Sequence, residues 1–196
     1  MVVKSLELLR IVEWLNKMKI ENYTINNDLS VDVDGNVWLY NKGLIEIPVQ
    51  FNRVGGSFSC SDNQLTSLKG CPKEVGRDFD CSNNQLTSLI GSPNEVGGGF
   101  YCSYNQLTSL KGVPTKVSGG FSCSYNQLPS LIGSPKETGM WFDCSHNQLT
   151  SLEGAPTEVG GGFDCSTNHL TSLEGAPTEV GRDFDCSNNQ LTSLIG

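Results

Sequence analysis

The sequence predicts a repeat solenoid of the α/β type, closed at its N-terminal end by a helix, and three observations predict it. A 21-residue unit runs from Phe58 to the last residue, marked by Phe58, Phe79, Phe100, Phe121, Phe142, Phe163 and Phe184. Cysteine follows each phenylalanine two residues later, from Cys60 to Cys186. Leucine keeps the same step in two series, Leu65 to Leu191 and Leu68 to Leu194. A fixed period of this length means coils that bury their apolar sides only against their neighbours. The division that follows is a cap over residues 1–36, a helix and a hairpin strand, and a solenoid over 37–196. The solenoid has one degenerate coil and seven further coils, the last incomplete.

From Ser5 to about Lys19, apolar residues at Leu6, Leu9, Val12, Leu15 and Met18, widened by Leu8 and Ile11, describe an amphipathic helix with Ser5 as its N-cap. Its expected role is to cover the core of the first coil. Leu29, Val31 and Val33 alternate with polar residues, Asp34-Gly35 reads as a turn, and Val37 and Leu39 resume the alternation, which predicts a hairpin. Stepping back one period puts Val37 under Phe58, Leu39 under Cys60, Leu44 under Leu65, Ile47 under Leu68 and Val54 under Val75. By the same register Trp38 and Tyr40 of this degenerate coil would look onto the concave side, but for an end coil the favoured expectation is that they pack beneath the hairpin or the N-terminal helix.

Within a coil the order is strand, asparagine corner, leucines, Gly-x-Pro and a polar return leg. Asn63 to Asn189 are expected to turn inward and satisfy backbone groups that a tight bend leaves unpaired. Gly91-Ser92-Pro93 and its equivalents end the leucine segment and prevent a regular helix, so the return leg should be extended or a short helical turn. Phe58 and Cys60 lie two apart on a strand and therefore point to one side, the core. In-register cysteines on parallel strands would be roughly 4.8 Å apart, too far for usual disulfide geometry. The cysteines read as stacked buried thiols suited to a reducing compartment.

The pattern F-x-C-x-x-N-x-L-T-x-L resembles the leucine-rich repeat, with Phe and Cys in its two strand positions, from about Val37 to Gly196. The short unit with Cys-Ser-x-Asn-Gln-Leu-Thr-Ser-Leu and Gly-x-Pro is similar to repeats of phage, giant-virus and bacterial proteins. The resemblance implies a right-handed coil with one parallel β-sheet on the concave side, a mostly irregular convex side, and a protein-binding role.

The net charge of -8 opposes a nucleic-acid or membrane surface. No apolar run would span a bilayer, and the first ten residues lack the apolar core of a secretory signal, so a cytoplasmic location is expected, the host's cytoplasm for a viral protein. No nucleophile elbow, phosphate-binding loop or metal-spaced histidine pair occurs, so the chain does not read as an enzyme and no cofactor is implied. Asp143 and His146 are the one pair that could act as acid and base.

With Phe and Cys inward, the residues around them face outward, and there the repeat varies. Tyr101, Tyr104, Tyr125, Trp141 and His146 fall within three successive coils on one side, with Gly99 and Gly120 expected to leave a shallow depression beside Trp141. Asp143, Asp164 and Asp185 form a ladder of carboxylates that repel unless cations or a basic partner approach. Calcium is one reading of it, but no single loop gathers enough oxygens. The expected function is binding of a protein partner with a basic surface through Tyr101, Tyr104, Tyr125, Trp141, Asp143, His146 and Asp164. The alternative is an assembly role in which Phe184, Cys186, Leu191 and Leu194, on a last coil with no cap, associate with a second copy as a homodimer.

Overall fold

The computed structural model describes residues 2–194 as a β-solenoid of parallel sheets with one helix at its N-terminal end. Each coil contributes not one strand but two. One sheet, here the Phe sheet, has eight parallel strands, from Val37–Trp38 through Phe58–Ser59 to Phe184–Asp185. The other, the Val sheet, has nine strands, from Tyr23–Ile25 and Val31–Val33 through Phe51–Val54 and Glu74–Val75 to Glu179–Val180. The expectation of a single sheet with an irregular opposite side is therefore corrected. The Glu-Val dipeptides of the return leg pair in register, Glu74 with Glu95 and Val75 with Val96, because burying each valine brings its strand alongside the one before.

The Asp34-Gly35 turn is also corrected. Val31–Val33 pairs antiparallel with Tyr23–Ile25 and parallel with Phe51–Val54, so the hairpin lies one strand earlier and Asp34-Gly35-Asn36 is the step from the Val sheet to the Phe sheet. The register of the degenerate coil is as read: Val37 pairs beside Phe58, and Val54 beside Val75.

Between the sheets lies a continuous core. The phenylalanine rings form a continuous row from Phe51 to Phe184 with centroids 5.1–5.8 Å apart, edge to face between Phe51 and Phe58 and mostly stacked thereafter. All eight cysteines are free thiols, and all but Cys186 are buried. Burial pushes the Cys123 and Cys144 thiols well above their ordinary range and Cys165 to about 12, so they are neutral packing groups.

The asparagine corner closes each coil on the next. Asn126 donates its side-chain amide to the carbonyls of Cys102 (3.1 Å), Cys123 (3.0 Å) and Ser124 (3.2 Å), and its Oδ1 accepts from the Leu107 amide at 2.9 Å. The same set recurs at Asn84, Asn105 and Asn147. Beyond the leucines, Gly91, Gly112, Gly133 and Gly154 have φ of 88–107°, a region that glycine enters without steric cost.

The helix spans Val2–Lys17, so Ser5 lies inside it rather than at its cap. Leu15 is fully buried and Trp14 packs on Phe51 (6.3 Å between centroids), which places the capping contact in the C-terminal half. Leu6, Leu8 and Leu9, expected on the buried stripe, are exposed, because the contact with the core is made by the last turns, at Trp14 and Leu15.

One core position breaks its own rule. Thr138 stands where the other coils have valine, is 4% exposed, and its hydroxyl has no hydrogen-bond partner. Thr138→Val should raise unfolding free energy by about 1–2 kcal/mol, read in urea, because an isosteric methyl replaces a desolvated hydroxyl.

Candidate functional site

The outer side of the Phe sheet carries the variable positions, because alternation on each strand sends the residues between and around Phe and Cys away from the core. Most of these positions are serine, aspartate or glycine. Three coils differ.

Tyr101 and Trp141 come from coils two apart, yet their rings meet with centroids 5.7 Å apart and planes 15° from parallel. Gly99 and Gly120 are what allow this. A Cβ on Gly120 would fall 2.5 Å from Trp141 Cε2, so the indole lies across the neighbouring coil over a residue with no side chain. A Cβ on Gly99 would strike the Tyr101 hydroxyl, so the phenol runs back along its own coil. Rings that reach in these two crossed directions and stay nearly parallel share the plane of the sheet beneath them. The expected depression at Gly99 and Gly120 is thus filled by a flat aromatic floor. Burial, and the fields of Asp78 and Asp80, push the Tyr101 phenol up.

Tyr104, Tyr125 and His146 stack on one another, with centroids 4.2 and 4.0 Å apart and planes 9° and 13° from parallel. All three sit at the corner after the strand with φ of 51–54°, a conformation costly for large side chains. Asp62, Asn83, Thr167 and Asn188 hold the same corner at φ of 53–55°, so the backbone is set by the fold and not by the ring. The neighbouring Tyr104 phenol, and then burial, push the Tyr125 phenol up.

The aspartate ladder is in register, Asp143 beside Asp164 and Asp164 beside Asp185. Each is tied to its own coil: Oδ1 accepts the amide of the serine two residues on, at 2.9 Å from Ser145, 2.8 Å from Ser166 and 2.8 Å from Ser187. These bonds from Ser187 hold the Asp185 carboxyl below its usual range. The ion pairs found among the described residues, Arg53–Asp34 at 3.9 Å and Lys116–Glu137 at 3.6 Å, do not reach the ladder. Among the described residues no group of three or more His, Cys, Asp or Glu side chains is placed to hold a metal ion.

Trp38 and Tyr40, expected beneath the cap, are instead exposed on the outer side of the Phe sheet and touch edge to face at 6.4 Å. Their register with Ser59 and Ser61 carried that placement, and the cap packs on Phe51 instead. Two surface troughs lie on the other sheet. One, of ≈ 800 Å³, runs along Glu137, Glu158 and Glu179, and a second, of ≈ 520 Å³, along Glu74 and Glu95. Sequence reasoning passed over them, although glutamate recurs at the same step as phenylalanine.

In the last coil Phe184 stacks on Phe163 and is 37% exposed, Leu194 is 75% exposed, and Cys186 and Leu191 are half-buried. Among the described residues no helix is long and apolar enough to cross a membrane. No family model, curated protein or solved structure matches the chain.

Proposed function

We propose that the chain is a protein-binding module of leucine-rich-repeat kind, coiled right-handedly, which engages a partner with a basic surface through the outer side of its Phe sheet. One observation carries this reading. Tyr101, Tyr104, Tyr125, Trp141 and His146 are gathered from three successive coils onto a face that the other coils, apart from Trp38 and Tyr40 of the degenerate first coil, cover with small or polar side chains. Rigid aromatic side chains bury much area at little entropic cost. Asp143 and Asp164 beside them would steer a cationic surface toward the rings.

The repeat supplies its own controls. Tyr101→Ser, Tyr104→Asn, Tyr125→Asn and Trp141→Gly install residues found at the same register in other coils, so the combined variant should keep its fold, with a melting temperature within about 5 °C of the parent. It is expected to lose capture of a partner from cell lysate by at least about 100-fold in affinity. Equal capture by parent and variant would remove the aromatic face as the site.

A further inference from the structure

The aromatic floor has a chemistry more specific than an apolar patch, and this inference rests on the reading above. Tyr101 and Trp141 present extended π-surface in the plane of the sheet, the geometry that a planar cation stacks upon. Carboxylates border it on both sides. Asp80 is the in-register neighbour of Tyr101, and Asp143 is the in-register neighbour of Ser122 one coil beyond. Asp78 borders the Gly99 end, its Oδ1 held by the Gly99 amide at 2.7 Å. Asp80 is likewise held, by the Ser82 amide at 2.9 Å, and Asp143 accepts from Ser122 Oγ at 3.2 Å. Asp80 therefore has one oxygen anchored to its own coil, which fixes the direction of the group, while both oxygens of Asp78 and of Asp143 are engaged, by Gly99 and Ser57 and by Ser145 and Ser122. Between Asp80 and Asp143 lie three strand spacings, roughly 14 Å, with a flat ring surface in the middle.

We propose that this floor is a seat for an arginine side chain of the partner, its guanidinium laid on Tyr101 and Trp141 and its N–H edge turned to Asp80 beside Tyr101. Two features select arginine over lysine. A guanidinium is planar and weakly hydrated, so it stacks on a ring at small desolvation cost, and its edge donates two parallel hydrogen bonds to one carboxylate. An ammonium can use the charge but neither the plane nor the fork. A neutral sugar ring would also lie on a flat aromatic surface, but it would leave the bordering carboxylates without an opposite charge. Burial first, and then the charges of Asp78 and Asp80, push the Tyr101 phenol up, and those same charges would favour a cation there.

The test needs no knowledge of the partner. Chain labelled with ¹⁵N gives indole N–H resonances for its 3 tryptophans, and the Trp141 signal is identified by its loss in Trp141→Gly. A blocked peptide carrying two arginines between glycines is titrated against its lysine and citrulline counterparts and a neutral oligosaccharide. The arginine peptide should shift the Trp141 signal, binding at least about fivefold more tightly than the lysine peptide, with no shift from citrulline. Two variants should each weaken it about fivefold or more: Gly120→Ala, whose new methyl unseats the indole while the backbone stays at ordinary φ, and Asp80→Ser, the residue of Ser59 and Ser122. An unmoved Trp141 signal, equal shifts from the three peptides, or a shift from the oligosaccharide alone would overturn the proposal. Should the arginine peptide fail while the four-ring variant still loses partner capture, the arginine seat falls and the aromatic face stands. If capture is also unaffected, both fall.

Discussion

Asn126→Ala is expected to lower the unfolding free energy by about 3–5 kcal/mol, the largest loss from any single polar side chain of the solenoid. The reason is the distribution of its bonds. The carbonyl of Cys102 also accepts from Asn105 and that of Cys123 from Asn147, so these keep a partner when Asn126 is shortened. Ser124 keeps the Tyr104 amide. The Leu107 amide, which is buried, donates to Asn126 Oδ1 and would be left unpaired. The cost is one orphaned buried donor plus four lost bonds and a small void. Asn126 also lies near the middle of a stack in which each coil is held only by its neighbours, so its loss weakens the joint between two halves. Urea unfolding should show the loss together with a broader transition. Asn189→Ala, at a half-buried position in the last coil, should cost about 1 kcal/mol. Equal losses at the two sites would show that the amide network does not hold coils together as described.

Phe121→Ala should destabilise by a similar amount, about 3–5 kcal/mol, for an apolar reason. Its ring is fully buried, with Phe100 5.7 Å on one side and Phe142 5.1 Å on the other, and neither can collapse into the void without breaking its own stacking. Phe184 has a ring on one side only and is 37% exposed, so Phe184→Ala should cost about 1 kcal/mol, read by the same titration. The contrast between two phenylalanines of identical register measures what a second neighbour is worth.

The registers of both sheets follow from the 21-residue step, which carries Val37 under Phe58 and Val54 under Val75 even where the sequence has lost its likeness. The asparagine corner was also legible, because its role depends on a backbone need that every coil shares. The second sheet was not. In the regular repeats its strands are two residues long, between a proline turn and glycines, and two residues carry no alternation to read. The hairpin was misplaced for a related reason: Asp34-Gly35 has the composition of a turn, and composition does not say whether the chain returns beside itself or crosses to another sheet. In the candidate site, the outward row of rings was legible from alternation alone. Their postures were not, because whether a ring stands upright, as on a stack, or lies down over a glycine depends on two coils at once.

The left-handed corner after each strand has a consequence for how this surface can change. Asp62, Asn83, Tyr104, Tyr125, His146, Thr167 and Asn188 leave the backbone at φ between 51° and 55°, so seven side chains of five kinds are launched from one shared bearing. The backbone cost is already met by the fold, and a substitution there alters only what is displayed. The row behaves as a type case, in which single letters are exchanged without resetting the line, and a new specificity can be composed one coil at a time.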